Sequence, residues 1–140
     1  MIKFFLKQRP GFFIGLCCSL LLLSACATTQ QSEDVVGKRA QARWDAILAD
    51  DLMTAYEYLS PGYRSSVSSI QYVRLILNKQ VVWTGARYLG RECEEAKCEV
   101  KIALDYALIG VLPGVKTFEA TKDIEETWLL IDGVWYFVPK

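Results

Sequence analysis

The 140-residue sequence contains no histidine. That absence excludes Ser-His-Asp and Cys-His catalysis and any His-ligated metal site. Neither charge is in excess, since 16 Lys+Arg stand against 16 Asp+Glu. A chain so balanced has no field with which to attract nucleic acid. A long hydrophobic run is missing too. The most apolar stretch, Gly11 to Leu23, is about 13 residues, short of the roughly 20 that span a bilayer. Internal repeats and low-complexity segments are absent. No residue set reads as a catalytic, metal-binding or cofactor-binding motif. What remains is 52% hydrophobic, the composition of a domain with a core.

The apolar stretch has telling neighbours. Lys3, Lys7 and Arg9 precede it, and the small residues Ser24 and Ala25 follow. This is the three-part layout of a secretory signal peptide, expected over residues 1–25. Leu23-Ser24-Ala25-Cys26 then resembles the lipobox of bacterial lipoproteins. The resemblance implies cleavage before Cys26, a diacylglycerol on its sulfur and an acylated amine. It also implies a site of action, because lipoproteins retained in the inner membrane tend to carry Asp after the acylated cysteine. Here that residue is Ala27. The expected location is the outer membrane, on its periplasmic side, with the membrane as partner through the lipid. Two or three acyl chains suffice for stable anchoring where one is marginal. Residues 26–33 read as the lipidated cysteine and a polar tether.

Five cysteines are an awkward number for an exported protein. Cys17 and Cys18 leave with the signal and Cys26 takes lipid, so Cys93 and Cys98 remain. They flank the tip of a hairpin whose strands read as Val81–Arg91 and Val100–Ile109. A four-residue loop between them places the sulfurs opposite each other, where a disulfide forms readily in an oxidising compartment. Acidic neighbours on both sides argue against a redox role. The charge balance resolves likewise. Residues 1–25 carry three of the 16 cations and none of the 16 anions, leaving 13 against 16, a net −3.

Residues 34–140 read as one α+β domain. Asp34 caps a first helix to about Ala49, with Val36, Ala40, Trp44 and Ile47 at helical spacing. Asp50-Asp51 start a second, ended by Ser60-Pro61-Gly62. A Ser-rich stretch follows. Ser68 with Gln71 matches a capping box for a third helix to about Asn78. After Lys79 the periodicity becomes two. Strands follow at Val81–Arg91, Val100–Ile109, Phe118–Ile131 with a bulge near Asp123, and Val134–Val138 after an Asp132-Gly133 turn. The expected fold is three N-terminal helices packed on a curved antiparallel sheet of about four strands.

That layout resembles the nuclear-transport-factor-2-like, or cystatin-like, cone domain. The resemblance is carried by Trp44 with Leu48, by Asp51–Ser60 (DLMTAYEYLS), and by Glu126-Thr127-Trp128 through Val134-Trp135-Tyr136. It implies helices packed into a strongly curved sheet around a cavity, lined here by Trp83, Tyr88, Tyr106, Trp128 and Trp135. Such folds serve both enzymes and non-catalytic modules. With histidine absent, the expectation is a non-catalytic binding or assembly domain. A small-molecule-binding or isomerase-like enzyme using the cavity is the alternative. A homodimer or another envelope protein is the expected partner class. Asp105 is expected on the outer face of its strand. Glu119, Asp123, Glu125 and Glu126 read as a solvated, charge-guarded strand face.

Overall fold

The computed structural model describes residues 34–78, 81–112 and 114–140. The expected signal peptide, the tether and Cys26 lie outside the described residues. The element order is α1 (Val35–Leu48), α2 (Leu52–Glu57), α3 (Pro61–Ser66), α4 (Ser69–Leu77), β1 (Val81–Glu94), β2 (Lys97–Leu112), β3 (Val115–Ile131) and β4 (Val134–Val138). The class is α+β, as expected, but among the described residues there are four helices and not three. Among the described residues no helix is long and apolar enough to cross a membrane.

Each helix starts at a residue whose side chain satisfies an amide that the helix leaves open. Asp34 accepts from the Gly37 amide, Asp51 from Thr54, Ser60 from Tyr63 and Ser68 from Gln71. The Ser68–Gln71 capping box is present in full. The additional helix is α3. Ser60-Pro61 reads as a stop for α2, and it is also a start, because Pro61 occupies the first helical turn. Proline is favoured there, where its missing N–H is not needed.

The sheet is antiparallel in the order β1-β2-β3-β4. β1, β2 and β3 run further than their hydrophobic patterns suggest, and β4 has the expected bounds. β1 and β2 close on a two-residue turn at Glu95-Ala96, tighter than the expected loop, with Glu95 at φ 49°. The Asp132-Gly133 turn has φ 51° and 78°, the left-handed pair that a two-residue hairpin requires. The bulge expected near Asp123 is not there, and β2 and β3 pair without a break from Lys97↔Leu129 to Ile109↔Thr117. Instead β2 is irregular between Ile109 and Leu112, and β1 at Trp83/Gly85 and Tyr88/Gly90. Bulges there bend the strand that carries α1 on its face.

The core lies between α1 and the inner face of the sheet. Val36, Ala40, Trp44 and Ile47 of α1 meet Val100, Ile102, Leu104 and Trp128. Residues 31–140 form one compact unit, with its own core, its own caps and a closed hairpin. These are the properties of a segment that folds by itself. Beside β4 the chain between α2 and α3 makes one isolated parallel bridge at Leu59, with Ser60 N–H donating to the Phe137 carbonyl and Phe137 N–H to the Tyr58 carbonyl. α4 stands off the sheet, and the space this leaves is the candidate site.

Candidate functional site

An open-sided cavity of about 600 Å³ lies between α4 and the inner face of β1–β4. That is within the usual range for small-molecule sites. Its wall is mainly apolar: Trp44 from α1, Ile76 from α4, Trp83 from β1, Leu104 from β2 and Phe137 from β4. Trp44 and Trp83 meet edge to face, with ring centroids 5.3 Å apart.

Glu125, Thr127 and Lys140 line the open side of the cavity, and its buried polar part has one centre. Arg43 and Glu126 are buried, with relative exposures of 5% and 3%. Their side chains meet at 2.8 Å. Glu126 Oε1 also accepts from the Trp44 indole at 2.8 Å, and Oε2 accepts from the Trp128 indole at 3.1 Å. Three donors therefore hold one carboxylate. Arg43 additionally lies over the Phe137 ring, 4.0 Å from its centroid. A buried charge pair is tolerated when its remaining lone pairs and protons are satisfied. Glu126 meets that condition and Arg43 does not. The Arg43 Nε–H is buried without an acceptor. The Tyr72 hydroxyl, on the same wall and 4% exposed, also has no hydrogen-bond partner. Burial pushes its pKa above the ordinary tyrosine value, against the pull of the Arg43 cation.

Glu126 was expected on a solvated face and is instead at the centre of the fold. The alternation that places Ile124 and Trp128 inward places Glu126 inward as well. That signal was legible, but the run of acids around Glu126 concealed it. Asp105 does lie on the outer face, accepting from Thr121 Oγ1 with Arg87 at 3.7 Å.

The five aromatics expected around a cavity separate. Trp83 lines it. Trp128 is fully buried behind it, packed against Phe137 and bonded to Glu126. Tyr106 pairs with Trp83 across β1–β2 and is half-buried. Trp135 is half-buried, and its carbonyl accepts from Arg39. Tyr88 belongs to a second cluster at the start of α1. Its hydroxyl donates to Asp34, which also takes the Gly37 amide and pairs with Arg91 at 2.8 Å. Gly37 is required here, because a Cβ would lie 2.6 Å from both Asp34 Oδ2 and Tyr88 Cζ.

Cys93 and Cys98 face each other in the β1–β2 register, at disulfide-bonding distance with Cα atoms 4.0 Å apart. Cys98 is fully buried, while Cys93 is at the surface. Among the described residues, no group of three or more His, Cys, Asp or Glu is placed to hold a metal ion.

No protein-family model matches this chain, and no curated protein matches it. Among solved structures, it is similar to the solution structure of a SEC-C motif containing protein from Rhodopseudomonas palustris. The two share 16% identity at a TM-score of 0.55, over 72% of this chain and 73% of the other. At that identity the likeness concerns fold alone.

Proposed function

We propose that this chain is an envelope lipoprotein. Lipid on Cys26 anchors it to the periplasmic side of the outer membrane, and its cone-type domain from residue 34 binds a small molecule without transforming it. The observation that carries the binding half is the state of Glu126. A general base must hold a free oxygen against the substrate proton. Among the described residues, Glu126 is the buried carboxylate in the cavity wall, and both its oxygens are engaged by Arg43, Trp44 and Trp128. It organises the wall and leaves the apolar surface to the ligand. The anchor half is supported by the signal layout and by Leu23-Ser24-Ala25-Cys26.

Two experiments test the two halves. Growth with an alkyne fatty acid is expected to label the protein, and Cys26→Ala to abolish both label and membrane fractionation. Label surviving Cys26→Ala removes the anchor. For the domain, titration of residues 31–140 with amphiphiles is expected to change the fluorescence of Trp44 and Trp83. Solvent hydrogen exchange into a bound ketone, absent without the protein, would favour the isomerase-like alternative.

A further inference from the structure

β4 pairs with β3 only from Thr127 to Ile131. Among the described residues, no strand lies beside β3 over residues 117–125 on the side away from β2. The bond from Leu130 N–H to the Ala96 carbonyl turns the even-numbered amides of β3 toward β2. The register is unbroken back to Ile109↔Thr117. The N–H and C=O groups of the odd-numbered residues in that stretch therefore point away from the sheet. Such a row of groups is a template for one more strand.

The two faces of this edge differ in chemistry. Thr121 pairs with Asp105 and donates to it on the outer face. By alternation Glu119, Asp123 and Glu125 lie on that face as well, and all three are exposed. Lys101 approaches Glu125 at 4.0 Å, and among the described residues Glu119 and Asp123 have no salt bridge. The outer face of the edge is thus acidic. The inner face is mainly apolar. Phe118 is 45% exposed there, and Ile124 lines the cavity with Leu75 and Ile76 of α4. Lys122 shares the inner parity but is exposed, so its stem covers apolar surface while its head stays in water. A second copy of this edge would set acid against acid, whereas a basic strand would meet its complement.

We propose that this edge binds, by strand addition, an extended peptide segment in which basic and apolar residues alternate. The basic side chains lie on the outer face opposite Glu119, Asp123 and Glu125. The apolar side chains lie on the inner face against Phe118 and Ile124. Backbone hydrogen bonds to the odd-numbered residues hold the segment, and the alternation selects it. The lipid anchor and the ligand of the cavity play no part in this contact.

The test titrates residues 31–140 with the capped peptides KVKVKVK, KKVVVKK and EVEVEVE at low ionic strength. Binding is read by calorimetry and by amide hydrogen exchange. KVKVKVK is expected to bind one to one, and the other two to be weaker by about tenfold or more. The Thr121, Asp123 and Glu125 amides should gain protection in the complex, while those of Ala120, Lys122 and Ile124 stay as they were. Glu119→Lys with Asp123→Lys changes exposed charges only. It should weaken KVKVKVK about tenfold, strengthen EVEVEVE, and leave the unfolding midpoint close to that of the parent. Two further probes carry N-methyl groups on the lysines alone or on the valines alone. One set of amides faces β3 and the other faces water, so one probe should keep its affinity and the other lose about tenfold. Failure of KVKVKVK to bind overturns the proposal. So does equal affinity for KVKVKVK and KKVVVKK, equal affinity for the two methylated probes, or binding that leaves the odd-numbered amides unprotected.

Discussion

Glu126 shows how one residue joins two elements of the fold. It lies on β3, receives Arg43 and Trp44 from α1, and receives Trp128 from its own strand. Glu126→Gln keeps the shape but removes the charge, leaving Arg43 buried without a counter-ion. It also replaces one acceptor oxygen with a donor that faces either Arg43 and Trp44 or Trp128. Breaking a buried pair from one side costs about 3–5 kcal/mol, and urea unfolding should show a loss of that order. The other polar cluster is tuned by pH. Burial, followed by the hydrogen bond to Asp34, raises the Tyr88 pKa from 10.0 to about 12. The folded state therefore holds the phenol proton more tightly than the unfolded chain does. The stability so conferred is complete below pH 10 and is lost as pH rises from 10 towards 12. Tyr88→Phe should lower stability at neutral pH and flatten the decline between those values, as read from unfolding midpoints. Neither cluster was legible in full. The Asp34 cap was, because a helix start has a local pattern. Its partner Tyr88 lies 54 residues away, and no local pattern carries such a contact.

At the scale of elements, legibility followed periodicity. α1, α2 and α4 have apolar stripes and capping residues, and their expected bounds lie close to those observed. α3 has neither a buried face nor a stripe, and only Ser60-Pro61 announces it. β4 coincides with its expected bounds, whereas β1, β2 and β3 extend beyond theirs, since paired backbone continues where side chains stop alternating. One element boundary depends on a single side chain. The Gln41 amide lies against the outer edge of β1, accepting from Tyr88 N–H at 2.8 Å and donating to the Ala86 carbonyl at 3.1 Å. An amide in that position takes the place of a neighbouring strand and covers an otherwise open edge. Gln41→Ala should cost about 1 kcal/mol, because the freed groups are only partly buried and water reaches them. The sharper readout is hydrogen exchange. The Tyr88 amide should lose protection in Gln41→Ala while that of Ile102, inside the sheet, keeps it.

Across the whole molecule the two ends of the sheet differ. At one end β1 and β2 are closed by Cys93–Cys98, and Asp34 is tied to Tyr88 and Arg91. At the other end β2 and β3 continue past the start of β1, to Leu112 and Val115. β4 covers β3 only over Thr127–Ile131. Among the described residues, the edge of β3 before Thr127 therefore has no strand beside it. Its orientation is fixed by one bond, Leu130 N–H to the Ala96 carbonyl at 2.8 Å. That bond points the even-numbered amides of β3 at β2, and the unbroken register carries the same parity back to Phe118. Odd-numbered amides then face outward. Hydrogen exchange by NMR should alternate accordingly. Thr121, Asp123 and Glu125 should exchange at least tenfold faster than Ala120, Lys122 and Ile124. Protection shared equally by both sets would mean that a strand lies on this edge in solution. If a second copy supplied that strand, the protection would fade on dilution. The charges of Glu119, Asp123 and Glu125 along the edge argue against a second copy, because pairing would bring the same acids together. The expected pattern is therefore alternation at every concentration, with an edge kept open by charge while the opposite edge is covered by Gln41.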